Sequence, residues 1–253
     1  MARFSGSRIV VTGAASGLGR EVAVRLAAGG ARLALADRNA EALAAVAAET
    51  GAVLTRPLDV SHVEAVAAFA ADAGAALGGI DGLVNAAGVL GPAVYVADCP
   101  PDEWDHVFAV NVKGSYLMVR HLIPFMREAG GGSIVNFAST AGLAGSATLG
   151  PYSATKGAVV LMTRSLALSH AAEGIRVNAV CPGSIETPML DATFASAGSP
   201  EAEAERRETF RKRHPIGRFG TAGEVAEAAL FLLSDASAYV TGVALPVDGG
   251  RLA

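Results

Sequence analysis

Short apolar runs alternate with longer segments of helical periodicity along the whole chain. The runs at 9–12, 32–36, 53–57, 82–85, 133–138, 176–181 and 242–247 are a few residues each and largely apolar on both faces, which predicts strands covered on each side. Between them, the segments 17–28, 39–49, 61–76, 102–127, 152–172 and 222–234 carry apolar positions at helical spacing. Repetition of strand and helix in this manner predicts an α/β architecture, a doubly wound parallel sheet of about seven strands with helices on both faces. No Pro/Ser-rich linker or compositional break divides the chain, so a single domain over 1–253 is expected. The alternation breaks once, at 184–221, where Pro188, Gly198, Pro200 and Pro215 intervene. That stretch directly follows the C-terminal end of a predicted strand, where ligands bind in open α/β sheets, and a substrate lid is expected there.

Composition narrows the function classes. Of 253 residues, 51% are hydrophobic and 17% charged, which excludes a disordered chain. The longest uncharged run, 129–155, is interspersed with Ser, Thr and Gly and does not read as a membrane span. A net charge of -4 leaves no electrostatic footprint for nucleic acid. The apolar run after the N-terminus is too short for a secretory signal core. Cys99 and Cys181 stand far apart in no metal or redox motif, so both are expected unbridged, in a reducing cytoplasm. The five His are scattered, and no protein-bound metal is expected.

The first strand runs into Thr12-Gly13-Ala14-Ala15-Ser16-Gly17-Leu18-Gly19 and then a helix. Glycines let the chain turn sharply and bring backbone N–H groups close to a pyrophosphate, and the helix N-terminus favours that anion. No Lys-Ser/Thr follows the last Gly, which disfavours a P-loop nucleotidase. Asp37 lies eighteen residues beyond Gly19, at the end of the second strand. A carboxylate there hydrogen-bonds ribose hydroxyls and repels a 2′-phosphate, which favours NAD over NADP, although the adjacent Arg38 could partner such a phosphate. Asn85-Ala86-Ala87-Gly88 ends the fourth strand in a turn small enough to lie against a cofactor, and Ser139 closes the fifth. Tyr152 and Lys156 are four apart on one helical face. A nearby ammonium stabilises phenolate, as does any bound nicotinamide cation, so Lys156 and the cofactor are expected to lower the Tyr152 pKa toward the range useful for general acid/base work. Alone, such a pair is an ordinary feature of a helix.

These motifs occur together, in order and at the strand ends, and with Asn111, Pro182-Gly183 and Val247-Asp248-Gly249-Gly250 the chain resembles the short-chain dehydrogenase/reductase family over essentially its whole length. The resemblance implies a Rossmann-type fold that moves hydride between a nicotinamide cofactor and a carbonyl or alcohol carbon. It implies that Tyr152 exchanges the proton, that Lys156 bonds the nicotinamide ribose, that Ser139 bonds the reacting oxygen, and that Asn111 holds a water leading to solvent. It further implies cofactor contacts from Gly13, Ser16, Gly17, Leu18, Gly19, Asp37, Asp59, Val60, Asn85, Ala87, Gly88, Pro182, Gly183, Ile185 and Thr187. Position 86 is Ala where the family commonly has a second Asn. The helix from Tyr152 carries few charges, and family members often pack it against a second subunit, so a homo-oligomer, a tetramer or dimer, is expected. The leading expectation is an NAD-dependent secondary-alcohol dehydrogenase or ketone reductase. The alternatives are an NADPH-dependent 3-oxoacyl carrier-protein reductase and a non-catalytic dinucleotide-sensing module. Arg206, Arg207, Arg211, Lys212 and Arg213 read as a solvated helix face paired at Glu203–Arg207 and Glu208–Lys212, with an anion-gripping role as the alternative.

Overall fold

The computed structural model describes residues 3–253. Seven strands, β1 (Arg8–Thr12), β2 (Arg32–Asp37), β3 (Leu54–Pro57), β4 (Gly82–Asn85), β5 (Gly132–Phe137), β6 (Ile175–Pro182) and β7 (Ala244–Val247), form one all-parallel sheet in the order β3-β2-β1-β4-β5-β6-β7. Strand order reverses between β1 and β4, where Thr12 pairs with Asn85. A crevice opens at such a switch point, outside the carboxyl ends of the strands.

Nine α-helices accompany the sheet among the described residues: α1 (Gly17–Ala28), α2 (Ala40–Thr50), α3 (Val63–Leu77), α4 (Pro101–Phe108), α5 (Ser115–Glu128), α6 (Gly150–His170), α7 (Pro188–Ala195), α8 (Pro200–Lys212) and α9 (Ala222–Leu233). Successive strand residues point to opposite faces, so Val10 and Val11, both inaccessible, serve two cores. Val11 packs with Val22 and Leu26 of α1, Leu43 of α2 and Val225 of α9. Val10 packs with Phe69 of α3 and Met118 and Leu122 of α5. No helix among the described residues is long and apolar enough to cross a membrane.

The segment expected as one helix over 102–127 is not uniform. α4 and α5 are joined by a π-helical turn, Ala109–Gly114, that carries Asn111. A π turn widens the helix by one residue without breaking the apolar stripe, so periodicity alone does not reveal it.

The 184–221 excursion holds α7 and α8 around an aromatic centre. Phe194 is fully buried, with the rings of Phe210 and Phe219 5.4 and 5.7 Å away. Its two ends meet where Glu186 N–H donates to the Gly220 carbonyl at 2.9 Å and Gly220 N–H to Ser184 at 3.1 Å. At its far end Thr221 and Glu224 form a reciprocal capping box that starts α9.

Candidate active site

A cleft of about 620 Å³ lies at the carboxyl ends of the strands. Its floor is the turn after β1. Gly13 adopts φ +65°, and a Cβ there would lie 2.7 Å from the Ala86 backbone. A Cβ on Gly19 would stand 2.1 Å from the Gly13 carbonyl oxygen, so the turn folds onto the first turn of α1 as only glycines allow. Ser16 is the N-cap of α1, yet its side chain caps no N–H. The first amides of α1 therefore face the cleft without a side-chain acceptor, a cradle that fits the pyrophosphate of a dinucleotide.

Asp37 sits on the rim beside this turn. Its carboxylate accepts Ala15 N–H at 3.1 Å and Asn39 N–H at 2.9 Å, while the cap of α2 is Asn39 itself. Asp59 and Val60 line the same end. Burial works to raise the Asp59 pKa, but the hydroxyl and N–H of Ser61 outweigh it and hold the carboxyl below its usual value.

Ser139, Tyr152 and Lys156 meet further along, beyond β5 and on the first turns of α6. Ser139 lies near enough to Tyr152 to draw the phenol's pKa down. Lys156 Nζ lies 5.5 Å from the centre of the Tyr152 ring and donates to the Phe137 carbonyl at 2.7 Å. In the protein alone, the phenol and the ammonium are both shifted from their ordinary values. Burial pushes Tyr152 up to about 12, with Ser139 pulling the other way. Burial draws Lys156 down to about 8, opposed by its proximity to Cys181. Desolvation dominates both shifts, because each group sits where its charged form is poorly solvated.

Of the expected site residues, Gly13, Ser16, Gly17, Leu18, Gly19, Asp37, Asp59, Val60, Ala87, Gly88, Ser139, Tyr152, Lys156, Pro182, Gly183, Ile185 and Thr187 all line this cleft. Asn85 and Asn111 do not line it, and both lie buried. Asn85 donates to Asn136 at 2.9 Å, and Asn136 donates to Thr163 of α6 at 2.9 Å, a polar chain tying the sheet to the helix that carries Tyr152. Asn111 accepts Val89 N–H at 2.8 Å and gives its two amide hydrogens to the Val89 carbonyl at 2.9 Å and Thr155 at 3.1 Å. Its side-chain amide braces the loop after β4 against α6. Sequence reasoning missed Leu149, Met189, Phe210 and Arg251, which also line the cleft. No linear spacing marks them, since they converge from three separate segments.

The model of a family described as enoyl-(acyl carrier protein) reductase matches residues 13–251. The chain belongs to the short-chain dehydrogenase/reductase family. It is an oxidoreductase of that family, working with a nicotinamide cofactor on an alcohol–carbonyl pair. It is 41% identical to 2-(S)-hydroxypropyl-CoM dehydrogenase 3 of Xanthobacter autotrophicus, over 99% of this chain and 98% of that one. It is 39% identical to 2-dehydro-3-deoxy-L-rhamnonate dehydrogenase (NAD(+)) of a Sphingomonas strain, over 98% of this chain and 96% of that one. A crystal structure of 3-ketoacyl-(acyl-carrier-protein) reductase from Brucella melitensis, complexed with NADH, superposes with a TM-score of 0.90 at 38% identity, over 98% of this chain and 99% of that one.

Proposed function

We propose that this protein is an NAD-dependent dehydrogenase of secondary alcohols, reversible to the ketone, with Tyr152 as its general acid/base. The observation that carries the reading is the convergence of Tyr152, Ser139 and Lys156 on the cleft that also holds the glycine turn and Asp37. A bound nicotinamide supplies the hydride acceptor or donor. The amides around Gly13–Gly19 would hold the pyrophosphate, Asp37 the adenosine ribose, Asp59 and Val60 the adenine, and Gly183, Ile185 and Thr187 the nicotinamide side.

Tyr152 takes the alcohol proton in oxidation and returns it in reduction, while Ser139 hydrogen-bonds the reacting oxygen. A phenol at about 12 is a competent acid at neutral pH and needs added positive charge to serve as a base. Lys156, at about 8, keeps most of its proton at pH 7, so it is the group that supplies this charge and that would bond the nicotinamide ribose. Asn111 keeps the Val89 loop and α6 in register, a positioning role.

NAD is favoured over NADP because the Asp37 carboxylate is held on the rim by two backbone N–H groups. One observation favours the second reading, an NADPH-dependent 3-oxoacyl carrier-protein reductase: the exposed Arg38 lines the same cleft. The 184–221 excursion, which contributes Ile185, Met189 and Phe210 to the cleft, acts as the lid over the substrate. Leu161 and Leu168 on α6 are 62% and 86% exposed, which supports a homo-oligomer, to be tested by light scattering. Cys99 and Cys181 are both free thiols, in keeping with cytoplasmic residence.

The deciding experiment is a screen of secondary alcohols and ketones with each nicotinamide cofactor, read by absorbance, with Tyr152→Phe alongside. Turnover should favour NAD and fall by about a hundredfold or more in the variant, while cofactor affinity persists. Preference for NADPH and acyl thioesters would install the second reading, and full turnover by Tyr152→Phe would remove the role given to Tyr152.

A further inference from the structure

The cationic cluster near the end of the excursion does not behave as a single solvated face. Arg207 pairs with Glu203 at 3.0 Å and Asp191 at 3.1 Å, and Glu208 takes Arg211 at 2.6 Å and Lys212 at 3.6 Å. Arg206 and Arg213 are outside these pairs. Both line the cleft, and they are joined there by Arg251, which arrives from the opposite end of the chain. None of the three has a carboxylate within 4 Å among the described residues. Arg206 donates to the Thr193 carbonyl at 2.9 Å and to the Ser196 hydroxyl at 3.0 Å, both neutral. The guanidinium of Arg213 lies 4.7 Å from the centre of the Phe210 ring.

The turn that delivers Arg251 is itself braced. Asp248 accepts Gly250 N–H at 3.0 Å and Leu252 N–H at 3.1 Å, and a Cβ on Gly183 would lie 3.0 Å from the Asp248 Cα. Asp248 is thus the acid near Arg251 and offsets part of its charge. Burial and then the charge of Arg213 hold the Arg251 pKa below its usual value, with Asp248 working against them. Like charges gathered on one cleft, none of them in an ion pair, break the rule by which surfaces disperse charge. Position decides what they serve. The cleft's own carboxylates, Asp37 and Asp59, stand at the β2–β3 end, whereas Arg251 follows β7 and Arg206 and Arg213 belong to the excursion after β6. The guanidiniums therefore lie on the Tyr152 side, at the far end from the carboxylates that would hold adenosine.

We infer that the substrate carries a fixed negative charge, a carboxylate, sulfonate or phosphate a few bonds from its carbinol carbon, and that Arg213 and Arg251 grip it. Phe210 and Met189 line the same cleft and supply apolar contact for the stem between the two ends. This rests on the reading of the cleft as the site of alcohol–ketone exchange, and makes Arg213 and Arg251 specificity residues within it. Arg207 and Arg211 are excluded by their ion pairs.

The test compares 3-hydroxybutyrate with its ethyl ester, which share a carbinol and differ in charge, in the wild type, Arg213→Gln, Arg251→Gln and the double variant. The wild type should prefer the acid in kcat/KM, and the double variant should lose that preference by about ten- to a hundredfold, the worth of a charge-assisted hydrogen bond. Equal use of acid and ester by the wild type would overturn the inference and leave the proposed function standing. So would a rise in the NAD+ KM alone, since the guanidiniums would then serve the cofactor. A second measurement needs no turnover: butyrate, propane-1-sulfonate and propyl phosphate are titrated into the NADH-loaded protein and followed by nicotinamide fluorescence. At least one should bind, and its affinity should fall by a similar factor in Arg213→Gln, an exposed site whose loss does not threaten folding. The anion that binds tightest identifies the class, and failure of all three to bind would overturn the inference. Anion binding without turnover of any alcohol would instead sink the proposed function.

Discussion

The side chain of Asn111 holds both polar groups of one residue, accepting Val89 N–H at 2.8 Å and donating to the Val89 carbonyl at 2.9 Å. Asn111 is fully buried on the π turn, so an acid there would lose both donated bonds and bring a charge into the core. Asn111→Asp should cost about 3 kcal/mol, lowering Tm by roughly 6–12 °C for a chain of this size. Thermal denaturation followed by circular dichroism checks it, and a variant that melts with the wild type would deny the amide its bracing role.

Asp37 presents its carboxylate at the ribose end of the cleft. Asp37→Ser removes the charge and keeps one acceptor for the local N–H groups. NADP+ should then gain about tenfold or more in kcat/KM relative to NAD+, helped by the adjacent Arg38. Steady-state kinetics with the two cofactors measures this directly. An unaltered ratio would show that the rim carboxylate does not select.

Tyr152 and Lys156 on α6 give opposite dependences of stability on pH. Tyr152 is raised from 10.0 to about 12, so its share of stability is complete below pH 10 and is lost as pH climbs toward 12. Lys156 is lowered from 10.5 to about 8, so the unfolded chain holds the extra proton and folding is penalised most below pH 8. The penalty lifts between pH 8 and 10.5. Denaturant unfolding of the wild type and Lys156→Met should therefore favour the variant at pH 7 and narrow the gap by pH 10. A gap that widens with pH would reverse the assigned sign.

Gly19 has no room for a methyl group, whereas nothing lies within 4 Å of a Cβ placed on Gly145. Gly19→Ala should displace the Gly13 turn, cost about 1–3 kcal/mol and weaken NAD+ binding, with Gly145→Ala as the neutral control. Calorimetric titration with NAD+ and a thermal melt separate the two. Equal behaviour of both variants would mean that the turn is not fixed by close backbone approach.

Much of the molecule could be read without coordinates. The short apolar runs match the strands of the sheet to within a few residues, because strand and helix leave different periods in neighbouring positions. Glycine and proline marked the β1 turn and the excursion for similarly local reasons. Seventeen of the nineteen expected site residues line one cleft, since a parallel sheet collects every strand's carboxyl end on one edge.

Tertiary structure alone decided the rest. Which elements the Asn85 and Asn111 side chains tie together depends on the atoms that surround them. The sign of the Tyr152 shift depends on the balance of burial against hydrogen bonding, which spacing along a helix does not contain. The sorting of Arg206, Arg207, Arg211 and Arg213 follows from where α8 lies on the cleft, and the arrival of Arg251 from a turn beyond β7 has no counterpart in the linear order. Periodicity is a property of neighbours in the chain, whereas hydrogen bonding, desolvation and charge convergence are properties of neighbours in space.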